Sequence, residues 1–217
     1  MARVGNRFVQ APARGGPMSD AAHRQVVIHS LECDAKEGIA YELATGWLQG
    51  AGVSPHTLSD PGETVGACDT DTVGYHVGPN ANASTSGAEV SGRASWSRQQ
   101  WLSGNANRAL MRQAKAAAEQ GLSKGFGPGD FRWLSVAEVA ANVQGVCTHY
   151  DISKGKGGTD HWDPGTGYPY DIQMSRIRWY AGCADYWGED AGTKPDDVVG
   201  SGPGGAQSSW WARWFAA

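Results

Sequence analysis

The chain has 217 residues, of which 40% are hydrophobic and 18% charged; that suffices for one substantial domain with its own core and excludes a disordered polypeptide. The formal net charge of −4 gives no electrostatic support to nucleic-acid binding. No apolar run approaches bilayer-spanning length, and Met1-Ala2-Arg3-Val4-Gly5-Asn6-Arg7 lacks the apolar segment of a secretory signal, so the expectation is a product made in the cytoplasm and not inserted in a membrane. Cys33, Cys68, Cys147 and Cys183 show no CxxC spacing, and a chain of this size needs no staples, so reduced thiols are expected. Ten Trp against four Phe is an unusual ratio. Such rings can face sugars or peptides, but core and edge packing is the expected use of most of them.

Residues 1–24 mix Gly, Pro, Arg and Ala and read as an extended arm. Gln25-Val26-Val27-Ile28-His29-Ser30 is a short β-branched strand with His29 near its end. Asp34-Ala35-Lys36-Glu37 has the form of a capping box, with Ile39, Leu43 and Trp47 as the apolar face of the helix behind it. Val53–Thr57 and Thr64–Cys68 are weaker strands around an Asp60-Pro61-Gly62-Glu63 turn, which is a hairpin pattern. His56 and His76, the latter in Gly74-Tyr75-His76-Val77-Gly78, are placed near a cleft as substrate contacts, with packing an equal alternative; His23 is placed at the surface.

Thr85–Gly92 reads as a strand on which Gly87, Glu89 and Ser91 share one face. A carboxylate flanked there by small residues is a candidate general base if a metal stands opposite, or an edge residue facing water if none does. Ser97-Arg98-Gln99-Gln100 caps a helix expected to run to about Gln120, Phe131–Leu134 is a short strand, and Ser135-Val136-Ala137-Glu138 caps a third helix. A last helix is expected over 172–187 with Ile177 and Tyr180 inward. From 191 the composition turns to Gly, Ser and Pro and ends in Trp210-Trp211-Ala212-Arg213-Trp214-Phe215, which divides the chain into an arm (1–24), a folded body (25–190) and a linker with an aromatic tail (191–217).

The stretch Val146–Gly165 carries the chemistry. It starts as a strand at Gly145-Val146-Cys147-Thr148, is expected to continue as a glycine-rich loop, and holds His149, His161 and Asp163 within fifteen positions. Asp163-Pro164-Gly165 is also ordinary turn chemistry, and a His at a strand end is also an ordinary core residue. The residues by themselves leave a metal site and a structural loop both open.

In order along the chain, Val27-Ile28-His29-Ser30, Tyr75-His76-Val77-Gly78, Ser86-Gly87-Ala88-Glu89, Thr148-His149-Tyr150-Asp151 and Thr159-Asp160-His161-Trp162-Asp163-Pro164-Gly165 resemble the motifs of the type 2 N-acetylmuramoyl-L-alanine amidases. These are zinc amidases related to peptidoglycan-recognition proteins, and the last motif looks most like endolysins of actinobacterial phages. The resemblance implies an α/β fold with a central mixed β-sheet flanked by helices. It implies Zn2+ held by His29, His149 and Asp163, Glu89 as the proton carrier, and His161 as oxyanion donor where many relatives have Lys. The implied reaction is hydrolysis of the amide between the lactyl group of N-acetylmuramic acid and L-alanine in peptidoglycan. The implied partner is the bacterial wall, reached after release from the host cytoplasm, and a monomer is expected. Pro55 precedes His56 where some members carry Tyr before His, which favours Glu89 over a tyrosine. The glycine-containing strand is shorter than the family's Ser-Ile-Gly-Ile-Glu by one apolar residue. Cys147, two positions before His149, is a rival ligand, set behind Asp163 because strand cysteines are commonly small buried hydrophobes. A non-cutting peptidoglycan receptor of the same fold, or a zinc peptidase acting in the stem peptide, are the alternative functions.

Overall fold

The computed structural model describes residues 3–183; the expected linker and aromatic tail over 191–217 lie outside them, while the helix expected to reach 187 already ends at Tyr180, before Gly182 at φ 73°. The arm is extended but held along its length. Strand β1 (Arg7–Phe8) pairs in parallel with a later strand and β2 (Arg14–Pro17) pairs with another, while Val4, Ala11 and Met18 are buried. His23, expected at the surface, is enclosed against Phe126, with ring centroids 5.8 Å apart. The short run Ala21-Ala22 before it offers no polar period that would have kept it outside.

β3 (Gln25–Ser30) is wholly buried, as its β-branched run requires. α1 (Ile39–Thr45) does not use the Asp34 capping box. It starts after Gly38, whose φ of 85° suits glycine, while Asp34 and Glu37 turn outward to Arg93 and Arg108. Its buried residues are Ala40 and Ala44, followed by Leu48 in the 3-10 turn Trp47–Gln49, one position beyond the expected stripe; Ile39, Leu43 and Trp47 are half-buried beside them. The hairpin forms around the Asp60 turn, but its first strand starts only at Thr57, where Val53–Thr57 was expected. β4 (Thr57–Ser59) and β5 (Thr64–Gly66) pair antiparallel, and Asp60 Oδ1 accepts from the backbone N–H of Gly62 and Glu63 at 2.6 and 2.9 Å.

β6 (Thr72–Gly74) pairs with β2, and β7 (Thr85–Val90) enters the centre of the main sheet. The Ser97 box forms, but it caps a single turn, α2 (Arg98–Trp101). The long helix α3 (Gly104–Ser123) starts separately after Ser103. Phe131–Leu134 is not a strand; only Trp133 bridges to Val146. α4 (Val136–Ala140) carries the expected Ser135 box, β8 (Gly145–Thr148) follows, and α6 (Tyr170–Tyr180) is the last described helix, with Ile177 buried and Tyr180 packed at the core's edge.

The segment after β8 differs most from its expectation. It is a helix, α5 (His149–Gly155), before it is a glycine loop. Thr148 accepts from the Asp151 N–H and the Asp151 carboxylate accepts from the Thr148 N–H, a reciprocal cap that the Thr-His-Tyr-Asp spacing supplies.

The main sheet has the order β1-β5-β4-β7-β3-β8, parallel except for β4 against β5. One face, with Val26, Ile28, Ala88, Val90 and Val146, packs on α2, α3 and α6 through Trp101, Leu110, Met174 and Ile177. Burying each such aliphatic chain is worth about 1.5–3 kcal/mol. Val27 and Cys147 face the other way, with Leu134 ahead of α4 and Val139 and Ile152 from α4 and α5. From α3 the buried Gln113 donates to the carbonyls of His29 (2.9 Å) and Ala88 (2.7 Å), which ties β3 to β7 where those strands end. The result is a mixed α/β fold with a mostly parallel central sheet flanked by helices. No helix among the described residues is long and apolar enough to cross a membrane.

Candidate metal centre

Parallel register builds the site. His29 pairs with Glu89, and Ile28 pairs with Thr148, so the next residue, His149, stands level with His29. Three neighbouring strands, β7, β3 and β8, thereby present Glu89, His29 and His149 in one row at their carboxyl ends, on the face away from α3. Sheets of this kind form their sites at that edge. The fourth group, Asp163, comes from the loop behind α5. Tyr150 N–H donates to its carbonyl at 3.3 Å and Ser30 N–H donates to its Oδ2 at 3.3 Å. Gly165, at φ 86°, lets this loop press on the Ala94 carbonyl, where any Cβ would collide.

His29 Nδ1 lies 3.3 Å from Asp163 Oδ2, and His149 Nδ1 lies 3.2 Å from Asp163 Oδ1. The three ligand atoms fall within 4.8 Å of one another, and all three residues are buried. A zinc ion with bonds of about 2.0–2.2 Å in tetrahedral array sets neighbouring ligand atoms about 3.3 Å apart. Both separations lie close to that value, though they run to different oxygens of the carboxylate, and two imidazoles and a carboxylate grouped within 4.8 Å are a donor set that suits a metal ion. Burial holds His29 down to about 4, against the pull of Asp163 in the other direction. Burial pushes the Asp163 carboxyl up, but His149 and His29 outweigh it and keep it well below the ordinary carboxylate range. Neutral imidazole and ionised carboxylate are the forms that ligate.

Glu89 is enclosed beside this cluster, and its Oε2 has no hydrogen-bond partner. Burial, then Asp163 and Glu32, push its carboxyl well above the ordinary range. Trp47, Val53 and Pro55 line the same small cavity as His29, Glu89, His149 and Asp163. His161 stacks on His149, with rings 4.2 Å apart and 13° from parallel, and its Nδ1 is 3.9 Å from Asp163 Oδ1. Its side chain is 22% exposed, and it lines a groove of about 330 Å3 together with His149, Thr159 and Tyr75. Burial, then the neighbouring His149, lower its pKa.

His56 is not brought to the groove. Its Nδ1 accepts from Gly87 N–H at 3.1 Å and its Nε2 meets the Thr72 carbonyl at 3.1 Å, which leaves no ring nitrogen for a substrate. His76 is at the groove wall, but its Nδ1 faces His29 Nε2 at 3.0 Å. Cys147 lies among Val27, Val139 and Ile152, outside the His29–His149–Asp163 cluster. Cys147 pairs with Val27, two positions before His29, so it lies on the same side of the sheet as His149 but is packed deeper, beneath the site. Two neighbours of the site were not singled out from the sequence. Thr159 Oγ1 stands 3.3 Å from His149 Nε2, and its place in the Thr-Asp-His-Trp-Asp motif was the available signal. Glu32, at φ 52°, accepts from Ser30 Oγ and Ala94 N–H at 2.6 and 2.8 Å; nothing in its local sequence marks it.

No protein-family model matches the sequence, and no curated protein matches it significantly. Solved structures do match. The crystal structure of the Staphylococcus aureus hydrolase AmiA in complex with its ligand is 20% identical, over 83% of this chain and 85% of that one, with a TM-score of 0.58. The catalytic domain of XlyA is 17% identical over 79% of this chain and 97% of its own, with a TM-score of 0.51. A selenomethionine derivative of AmpD is 15% identical over 80% and 93%, also with a TM-score of 0.51. At these identities the likeness is one of fold, and the chain shares with these proteins a mostly parallel α/β sheet that carries its candidate metal centre at the carboxyl ends of its central strands.

Proposed function

We propose that this chain is a zinc-dependent N-acetylmuramoyl-L-alanine amidase of bacterial peptidoglycan, of the endolysin type that a phage uses to open its host's wall. The observation that carries this reading is the buried His29–His149–Asp163 set, with two edges of 3.2–3.3 Å and Glu89 level with it on the neighbouring strand. The order of motifs along the chain and the fold shared with the hydrolase AmiA support it.

His29, His149 and Asp163 would hold the ion and leave a fourth position open, as catalytic zinc sites do. Zinc held there acts as a Lewis acid toward water and toward the scissile carbonyl. The chain's own residues then divide the remaining work. Glu89 accepts the proton of the attacking water and delivers it to the leaving nitrogen, so that the lactyl carboxylate and the free amine of alanine are formed. Burial raises its pKa, which favours its holding the proton it takes from water. His161 donates its ring N–H to the oxyanion; removing one such donor typically costs about 2.7–4 kcal/mol in the transition state. The groove bounded by Tyr75, Gly158 and His161 receives the peptide and sugar on either side of the bond.

Digestion of purified walls tests the assignment. The amidase reading expects new N-terminal alanine and free muramoyl lactyl groups. Other new amines would mean a peptidase acting in the stem peptide, and binding without any new amine would mean a receptor.

A further inference from the structure

His29 and His149 both turn Nδ1 to Asp163, so each has an outward nitrogen, Nε2, that needs a partner. His149 Nε2 meets the Thr159 hydroxyl. His29 Nε2 meets a second imidazole, His76 Nδ1, at 3.0 Å, with the rings edge to face at 79°. We propose that His76 is a positioning residue, which holds the His29 ring with Nδ1 bare toward the metal by accepting the hydrogen on His29 Nε2. The inference rests on the zinc reading above and adds a role that the three ligands do not contain.

The direction of these hydrogen bonds is set at their far end. Thr85 Oγ1 donates its single hydrogen to the Ala81 carbonyl at 3.1 Å. Toward His76 Nε2, 3.2 Å away, that oxygen can therefore only accept, and the Thr85 carbonyl at 3.4 Å can also only accept. His76 Nε2 must then carry hydrogen. The ring is packed edge-on against two further imidazoles, His29 and His56, with no carboxylate paired to it among the described residues, which favours the neutral form. A neutral ring protonated at Nε2 has a bare Nδ1, which accepts from His29 Nε2. His29 is thereby protonated on Nε2 and bare on Nδ1, the nitrogen that faces Asp163. One threonine hydroxyl, read back through two rings, selects the ligating tautomer.

The surroundings hold His76 in this place. Asn82 Oδ1 accepts from the backbone N–H of both His76 and Val77, at 3.1 and 3.0 Å. Gly87 leaves room for the ring: a Cβ there would sit 2.6 Å from His76 Nδ1. The same glycine puts Glu89 two places on, so one short strand both seats the positioning ring and carries the proposed base.

The test measures zinc affinity by chelator competition, together with the visible spectrum of the cobalt(II)-substituted protein. His76→Ala and His76→Phe both remove the acceptor, and the second keeps the ring volume beside Gly87. Either is expected to weaken zinc binding about 10–100-fold and to shift the cobalt bands. His76→Asn, whose Oδ1 can stand in for Nδ1, should restore most of the affinity and the spectrum. A folded His76→Ala or His76→Phe protein with wild-type affinity and spectrum would overturn the inference. So would a variant whose KM alone rises, since that marks a substrate contact. Wild-type protein that binds neither zinc nor cobalt would overturn the zinc reading instead, and the two failures are thus told apart.

Discussion

Asp163 is the group that both imidazoles face, so it separates a metal centre from a packed loop. Asp163→Ala is expected to lose zinc and activity together, whereas Cys147→Ser, altered inside the Val27–Ile152 cluster, should keep both; metal analysis of the two purified proteins decides. Glu89 and His161 separate chemistry from metal holding. Glu89→Gln keeps the shape and removes the base, so zinc content and thermal stability should stay near wild type while turnover falls about 10²-fold or more. His161→Ala should behave likewise, through loss of the oxyanion donor. Near-normal turnover in Glu89→Gln would move the base elsewhere, and loss of zinc in His161→Ala would make His161 a ligand. At this scale the proposed ligands were legible because their side chains are chemically rare and their motifs distinctive. The partners around them were not. Thr85, Asn82 and Gly87 are ordinary residues whose meaning comes only from the ring they surround. His56 and His76 looked alike in the sequence and differ in the fold, because one is closed off by two backbone groups and the other opens on His29.

Among the elements, strands with β-branched runs were readable, and so were the helix starts at Ser97 and Ser135, whereas the helix behind Thr148 was read as loop. Gln25–Ser30 is the clearest strand, because the β-branched run Val26-Val27-Ile28 buries side chains on both faces of the sheet. The boxes at Ser97, Ser135 and Thr148 close, while the one at Asp34 does not, because Arg93 and Arg108 draw its two acids outward. Local spacing cannot report such distant competition. The Ser135 box yields a pH prediction. Arg132 at 2.7 Å, helped by the Ser135 backbone, pulls Glu138 down to about 2 from an ordinary value near 4.5. A depressed carboxyl stabilises the fold fully above the unfolded value and loses that contribution as pH falls through the folded one. Glu138 is 34% exposed, so solvent screening keeps its worth to about 1 kcal/mol or less. Glu138→Gln should therefore melt below wild type at pH 6, and the gap should narrow between pH 4.5 and 2. A gap that stays constant over that window would assign the effect to packing.

For the whole molecule, the alternation of strands and helices pointed to an α/β sheet, and the carboxyl ends of β7, β3 and β8 are where such a sheet forms its site. The arm was less legible. Its Gly- and Pro-rich composition says extended, but only the fold shows β1 and β2 pairing and Asp20 reaching the buried Lys124 at 3.1 Å beside Asp71 at 2.5 Å. We propose that the residues beyond 190 are not needed for chemistry; a chain ending there should stay folded, bind zinc and cut soluble muropeptide, and an insoluble product would show that the tail completes the core. The central claim is the metal itself. Crystals of the protein grown with zinc, measured at the zinc absorption edge, are predicted to show one strong anomalous peak within about 2.0–2.2 Å of His29 Nδ1, His149 Nδ1 and an Asp163 carboxylate oxygen. No peak there, or a peak that leaves Asp163 unbound, would contradict the account.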